Sequence, residues 1–153
     1  MNEDLYNELV AQFNAEGGEI LMFTVDRMLY GIEIHYITEI IGIQPITIIP
    51  KVPSFIKGVI NIRGKVVPVI NVRARFGIPE VPYDDRTCII VVELGEIVVG
   101  LIVDRVREVI TVKPNEICST PGNQNKSNQF IRSIIESNDE IKLLLDVRKL
   151  VME

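Results

Sequence analysis

The residue types that most often carry chemistry are sparse in this chain and stand apart from one another. His35 is the only histidine, and Cys88 and Cys118 are the only cysteines. Histidine catalysis needs a positioned partner, and a reactive thiol needs an electropositive, partly exposed setting. The sequence around these residues offers neither, so we interpret His35 as a surface residue and Cys88 as a small buried one. We predict no catalytic residue.

Two other patterns could bind a ligand, and neither meets the requirements of a known site. The stretch GVINIRGKV (58–66) superficially resembles a phosphate-binding loop, but five residues separate its glycines and Val66 stands where a hydroxyl is required. Two cysteines make neither a disulfide framework nor a metal site. We therefore predict no metal and no cofactor. An enzyme would need one or the other here, and a mass spectrum under native conditions would reveal it.

The elements that must position any site come from an internal repeat. Residues 55–73 read FIKGVINIRGKVVPVINVR, and 75 residues later 130–148 read FIRSIIESNDEIKLLLDVR. A second pair, YGIEIHYITEII (30–41) and VGLIVDRVREVI (99–110), aligns upstream in each half. The chain therefore consists of two similar β-modules, with repeat units of roughly 20–76 and 87–151.

Composition supports a mainly β fold with one shared core. The chain has 25 Ile and 19 Val against 10 Leu and 3 Ala, and β-branched residues favour strands over helices. A half of about 70 residues buries too little surface to be stable alone. We therefore expect the two modules to share a core, with short strands arranged as barrels or a sandwich.

The ends and loops carry weaker signals. Leu5, Leu9 and Phe13 have helical spacing within 1–18, which predicts a helix or tail lying on the barrel. ITIIP (46–50) reads as a strand, and 74–85 as a linker. The polar loop 113–129 is expected to be the most mobile part of the chain.

Net charge excludes some partners. At −5 with a sequence pI near 5.0, the chain repels nucleic acid and anionic lipid. It has no apolar run near the roughly 18 residues of a spanning helix, and its first residues do not read as a signal peptide. We expect a cytoplasmic protein that binds neither nucleic acid nor the membrane interior.

Arg63 marks the place where the repeat breaks. Arg63-Gly64 reads as the tip of a hairpin, and the second half has Asn138-Asp139 there. An arginine at a tip can offer a planar fork of donors to a carboxylate or to carbonyl groups. A solvated turn residue is the alternative interpretation.

The stretch FIKGVINIRGKVVPVINVRARFGIP closely resembles the most recognisable segment of the CheW-like coupling proteins of bacterial chemotaxis. MFTVDRMLYGIEIHYITEII, TCIIVVELGEIVVGLIVDRVREVI and LLLDVRKLV resemble other segments of that family, in the same order. The resemblance runs from about Ile20 to Val151, so it assigns 19–153 to one CheW-like domain.

The resemblance implies a fold and partners. The fold is all-β, with two SH3-like five-stranded barrels sharing a core and short helices at the termini. The function is that of a non-catalytic adaptor. Its partners are the regulatory domain of the histidine kinase CheA and the cytoplasmic tip of methyl-accepting receptors, in arrays under the inner membrane.

The resemblance also implies a receptor-binding site, carried over residue by residue. Its members are Ile37, Glu39, Gly58, Arg63, Val106 and Val109. Within that set, Arg63 is implied to pair with Glu39. The kinase-binding residues have no sharp motif and stay unassigned. Two alternatives remain open: a paralogue serving a kinase with another output, and an adaptor half related to CheV.

Overall fold

The computed structural model describes residues 1–118 and 129–152. Three helices are described: α1 (Glu3–Glu16), α2 (Val72–Phe76) and α3 (Val147–Val151). Five strands lie in the first half: β1 (Gly18–Val25), β2 (Met28–Glu33), β3 (Ile37–Gly42), β4 (Ile56–Ile62) and β5 (Lys65–Asn71). Six follow: β6 (Cys88–Leu94), β7 (Ile97–Val103), β8 (Arg105–Val112), β9 (Ile117–Cys118), β10 (Ile131–Ser137) and β11 (Glu140–Leu145). The mainly β fold predicted from the sequence is confirmed.

The strands form two sheets that interleave the halves of the chain. The six-stranded sheet has the order β8-β1-β2-β11-β10-β9, and the five-stranded sheet has the order β3-β6-β7-β5-β4. After β2, a 3₁₀ turn (Ile34–Tyr36) carries the chain across, so that β3 pairs with β6. In the same way β8 returns to pair with β1. Each sheet therefore contains strands from both halves, and neither half supplies a complete sheet.

The repeat is visible in matching hairpins and caps. The β4–β5 and β10–β11 hairpins are each followed by a short helix. The side chain of Asn71 accepts a hydrogen bond from the α2 backbone, and the side chain of Asp146 does the same for α3. The NVR and DVR motifs of the repeat thus begin with the N-cap residue of a helix, for which Asn and Asp are preferred.

Three apolar clusters fill the molecule. A central cluster lies between the sheets and includes Phe23 and Leu145 of the six-stranded sheet and Ile70 and Leu101 of the five-stranded sheet. Each sheet also has a cluster of its own. The six-strand cluster contains Phe13, Ile20, Met22, Leu29, Val112, Ile135 and Leu144. The five-strand cluster contains Ile60, Val67, Val69, Ile89, Val91 and Ile102. Both halves supply the central cluster, so the shared core is present.

Helix α1 packs through Leu9 and Phe13, as its sequence pattern predicts, but not through Leu5. Asn2 caps its start, and the helix ends before Gly17. Phe13 is buried as expected, but Leu5 is 45% exposed, and Tyr6 is the other buried residue. The Tyr6 hydroxyl donates to the Asp146 carboxylate at 2.8 Å, so Tyr6 and not Leu5 attaches the first turn of the helix to the core.

Three other predictions differ from the structure or fall outside its described part. The stretch 46–50 is not a strand, since only Thr47 forms an isolated bridge, to Val59; Pro45 and Pro50 bound it and lack a donor. Helix α2 occupies the start of the expected linker 74–85. The mobility expected for 113–129 concerns mainly residues 119–128, which lie outside the described residues.

Candidate recognition site

Arg63 lies at the tip of the β4–β5 hairpin in a left-handed backbone conformation. Its φ is +50°, and that of Gly64 is +85°. Two consecutive positive φ values are typical of the tight turns that match the twist of a β-hairpin. The Asn61 side-chain oxygen accepts a hydrogen bond from the Gly64 N–H at 3.0 Å and closes the turn. The arginine side chain is 80% exposed, so the turn presents it to solvent.

The ion pair implied by the family resemblance is present. Arg63 Nη1 lies 2.9 Å from Glu39 Oε2 and donates a hydrogen bond to it. Glu39 comes from β3, at the edge of the same five-stranded sheet, and its side chain is 23% exposed. The pair therefore joins the hairpin tip to β3 across the surface of one sheet.

A shallow groove of about 250 Å³ surrounds this pair. Its lining is Thr38, Glu39, Ile62, Arg63, Lys65, Val67, Val91, Glu93 and Val98. Two acidic and two basic side chains balance each other along an apolar floor. Such a surface suits a partner that brings its own paired charges and apolar contacts, and it provides no excess charge for an anion.

A shift in strand register separates Ile37 from Glu39. Ile37 lies opposite Val92 on β6, whereas Glu39 lies opposite Val91, so Thr38 forms a β-bulge. Residues opposite each other in an antiparallel pair share a face. Ile37 therefore faces the central cluster with Val92, and Glu39 faces the five-strand cluster with Val91. The structure does not bring Ile37 into the groove of the Arg63–Glu39 pair.

Val106 and Val109 lie on β8, opposite Phe23 and Leu21 of β1. Both partners belong to the central cluster, so both valines are on the same side of their sheet as that cluster. Val106 is half-buried, and Val109 is 45% exposed. The predicted set is thus divided between the ion-pair groove and apolar residues of β3 and β8 that lie on the central-cluster side of their sheets.

The sequence analysis did not identify Ile40, which has the same orientation as Ile37 and the two valines. Ile40 lies opposite Ile90 of the central cluster and is 43% exposed. The internal repeat aligns Ile40 with Val109 and Ile37 with Val106. The repeat alone could have found it, because an exposed residue proposed in one half points to its counterpart in the other. We call Ile37, Ile40, Val106 and Val109 the apolar strip.

Gly58 offers no surface to a partner. It is buried in β4 at a φ of +146°, and a side chain there would place its Cβ 2.1 Å from the carbonyl oxygen of Thr47. Thr47 and Val59 exchange two backbone hydrogen bonds of 2.9 Å beside it. Gly58 therefore allows the 43–50 segment to lie along the edge of β4. Its contribution to any site is indirect.

The second module carries a similar groove, in which the positions of the cationic and the anionic side chain are exchanged. Arg107 of β8 pairs with Glu140 of β11 at 3.2 Å. The repeat aligns Arg107 with Thr38 and Glu140 with Lys65. A groove of about 290 Å³ surrounds that pair and is lined by the exposed side chains of Met28 and Ile141. The strand supplies the cation here, whereas the hairpin supplies it in the first module.

A larger groove of about 610 Å³ lies between α1 and α3, and internal contacts occupy its polar groups. Arg75 donates to the carbonyl oxygens of Leu150 and Met152 at 2.9 and 2.8 Å, and its guanidinium lies 4.2 Å from the centre of the Phe55 ring. Burial, with Asp146 close by, raises the pKa of Tyr6. These contacts fasten the helices to the core, and we interpret the groove as structural.

The lone histidine lies beside a buried ion pair. His35 is 44% exposed, and its Nε2 lies 3.6 Å from Glu33 Oε2. Glu33 is buried and accepts a hydrogen bond from Arg132. Burial raises the pKa of Glu33, and Arg132 opposes that rise. This cluster connects the end of β2 to β10 within the six-stranded sheet.

Within residues 1–118 and 129–152, no group of three His, Cys, Asp or Glu side chains could hold a metal ion. Nor does that part of the chain contain a helix long and apolar enough to cross a bilayer.

The structure is a β-fold of two interleaved sheets around a shared core, with paired charges and apolar side chains exposed on the edge strands β3 and β8. The chain belongs to the CheW-like domain family, which it matches over residues 19–153. Proteins of this family are scaffolds or adaptors and not enzymes, and the chain is accordingly non-catalytic.

Individual relatives cover most of the chain. It is 35% identical over 136 residues to the chemotaxis protein CheW of Klebsiella aerogenes, covering 88% of this chain and 82% of that protein. It is 37% identical over 131 residues to the chemotaxis protein CheW of Bacillus subtilis, covering 85% and 84%. The crystal structure of the scaffolding protein TtCheW from Thermoanaerobacter tengcongensis matches with a TM-score of 0.80 at 34% identity, covering 90% and 89%.

Proposed function

We propose that this chain is a chemotaxis adaptor that couples methyl-accepting receptors to the histidine kinase CheA. The observation that carries the proposal is the Arg63–Glu39 ion pair at 2.9 Å. The sequence resemblance implies the same pair. The relatives named as chemotaxis proteins support the same assignment.

The ion pair serves recognition better than stability. Arg63 is 80% exposed, and exposed ion pairs contribute at most about 1 kcal/mol to folding. A pair that adds so little to stability can still fix the shape and charge of a docking surface. We therefore assign Arg63 and Glu39 to receptor binding.

The apolar strip is the second part of the proposed receptor site. Ile40 and Val109 are large apolar side chains, each more than two-fifths exposed, at equivalent places of the two modules. Apolar residues of this kind provide the core of protein interfaces, while charged residues occupy the rim. In this proposal the receptor tip lies along the exposed edge of β3, where it contacts the strip on one face of the sheet and the Arg63–Glu39 pair on the other. Gly58 acts through the 43–50 segment.

The kinase is proposed to bind elsewhere, barrel against barrel, because the regulatory domain of CheA is expected to have the same fold. The residues that face it stay unassigned. We expect the complex in the cytoplasm, at receptor arrays under the inner membrane. The domain is proposed to comprise 19–153, with 1–18 as an accessory helix.

Receptor binding by an Arg63→Ala variant tests the proposal. We expect its affinity for a receptor cytoplasmic fragment to fall at least about fivefold, as for a moderately important interface residue. The melting temperature should stay unchanged because the pair is exposed. Arg86→Ala, at an exposed arginine of the segment before β6, is the matched control. Equal affinities of the two variants would overturn the assignment of Arg63.

A further inference from the structure

We propose that Thr38 and Asn61 are positioning residues that bring Glu39 and Arg63 together. Neither residue belongs to the ion pair itself. Each fixes a local irregularity of the backbone, one on β3 and one at the β4–β5 turn. The proposed effect on receptor binding rests on the function proposed above, whereas the effect on the ion pair can be measured without any partner.

The bulge at Thr38 determines which face of the sheet carries Glu39. In a regular strand, side chains two residues apart share a face, so Glu39 would face the central cluster together with Ile37. The bulge shifts the register by one residue, and a shift of one moves a side chain to the other face. Glu39 consequently lies opposite Val91, on the side of the sheet where the hairpin tip is found.

The Thr38 side chain fastens this bulge. Its Oγ1 donates to the carbonyl oxygen of Val91 at 3.3 Å. Val91 is the residue opposite Glu39, so the bond holds the strand at the point where the register changes. Valine has the same shape but no hydroxyl, whereas serine keeps the hydroxyl. These two substitutions therefore separate the hydrogen bond from packing.

Asn61 stabilises the turn that carries Arg63, the other member of the ion pair. A left-handed conformation is unfavourable for a residue with a long side chain such as arginine, and Arg63 adopts it at φ +50°. The bond from the Gly64 N–H to Asn61 Oδ1, at 3.0 Å, ties the residue after the tip to the strand before it. Asparagine and aspartate commonly close turns in this way. This bond therefore stabilises the turn conformation in which Arg63 contacts Glu39 of β3.

The second module shows that the same backbone can carry a different pair. β8 shifts register at the equivalent place, between Val106 and Val109, and the β10–β11 turn also has two consecutive positive φ values, +52° at Asn138 and +60° at Asp139. Arg107 stands in place of Thr38, and Glu136 in place of Asn61. Arg107 there forms the ion pair itself, with Glu140. The residues at these two positions therefore distinguish the grooves, although the backbone of the two modules is alike.

Solution NMR on four full-length variants tests the proposal. Thr38→Val and Asn61→Leu remove the two hydrogen bonds, and Thr38→Ser and Asn61→Asp retain an equivalent group. We expect Overhauser contacts between the Arg63 and Glu39 side chains in wild type, Thr38→Ser and Asn61→Asp, and their loss in the other two. Amide exchange at Gly64 should rise about fivefold in Asn61→Leu, the effect of losing one ordinary hydrogen bond.

Receptor affinity, measured on the same samples, separates this proposal from the proposed function. If the contacts are lost as expected and affinity falls with them, as it does for Arg63→Ala, both stand. If the contacts are lost while Arg63→Ala and all four variants bind normally, the positioning role stands and the receptor assignment fails. Contacts that persist in Thr38→Val and Asn61→Leu would overturn the positioning role, whatever the affinity.

Discussion

Truncation of Ile70 should destabilise the whole molecule at once. Ile70 is 3% exposed and lies in the central cluster that both halves supply. Removing a buried isoleucine side chain to alanine costs about 2 to 5 kcal/mol, a large share of the roughly 5 to 15 kcal/mol that stabilises a typical domain. For a domain of this size that corresponds to a fall of roughly 5 to 15 °C in melting temperature.

The assay is urea unfolding of Ile70→Ala, with amide exchange followed in both sheets. Because the central cluster joins the sheets, we expect one transition and a parallel loss of protection in β2 and β7. Ile48→Ala is the matched control, since Ile48 is 82% exposed and its truncation should change stability by less than about 0.5 kcal/mol. Two separate transitions, with the six-stranded sheet retaining its protection, would refute the reasoning.

Three other predictions follow from burial and connectivity. Tyr6→Phe should lower the free energy of unfolding by about 1 to 3 kcal/mol, because it removes the hydrogen bond to the Asp146 carboxylate. Leu5→Ala is the exposed control. Equal effects of the two substitutions in chemical unfolding would contradict the role of Tyr6. Burial raises the pKa of Glu33 in the folded state. Glu33 therefore contributes to stability at low pH, and this contribution is lost as pH rises through the raised pKa. The unfolding free energy of wild type minus that of Glu33→Gln should therefore fall as pH rises above 4.5, and a constant difference would count against the assignment. Residues 1–80 alone should not fold, because β1 and β3 would lose β8 and β6; a dispersed amide spectrum would disprove this.

The sequence predicted the features that depend on local pattern. The repeat identified the hairpins 55–73 and 130–148, and the positive-φ turn at Arg63-Gly64 follows from the strands that flank it. The shared core followed from the small size of each half. The family resemblance implied the pair of Arg63 with Glu39, which no periodicity could have supplied because 24 residues separate them.

The features that escaped prediction depend on contacts between distant strands. The sheets interleave because β3 and β8 each pair with a strand of the other half. The two modules have similar sequences, so the sequence pattern does not show whether a strand pairs within its own half or with the other half. The bulge at Thr38 exists only relative to β6, so no pattern within β3 shows that Ile37 and Glu39 lie on opposite faces. Gly58 is buried because Thr47 crosses it, whereas the sequence pattern of 46–50 predicts a strand.

Kinase output tests the central claim most directly. The purified chain would be mixed with CheA and a receptor cytoplasmic fragment from the same source, and autophosphorylation would be followed over time. We expect strong activation that requires the chain and fades with Arg63→Ala but not with Arg86→Ala. Binding to the kinase without activation would point instead to a paralogue that serves another receptor class. Failure to bind either protein would contradict the adaptor function.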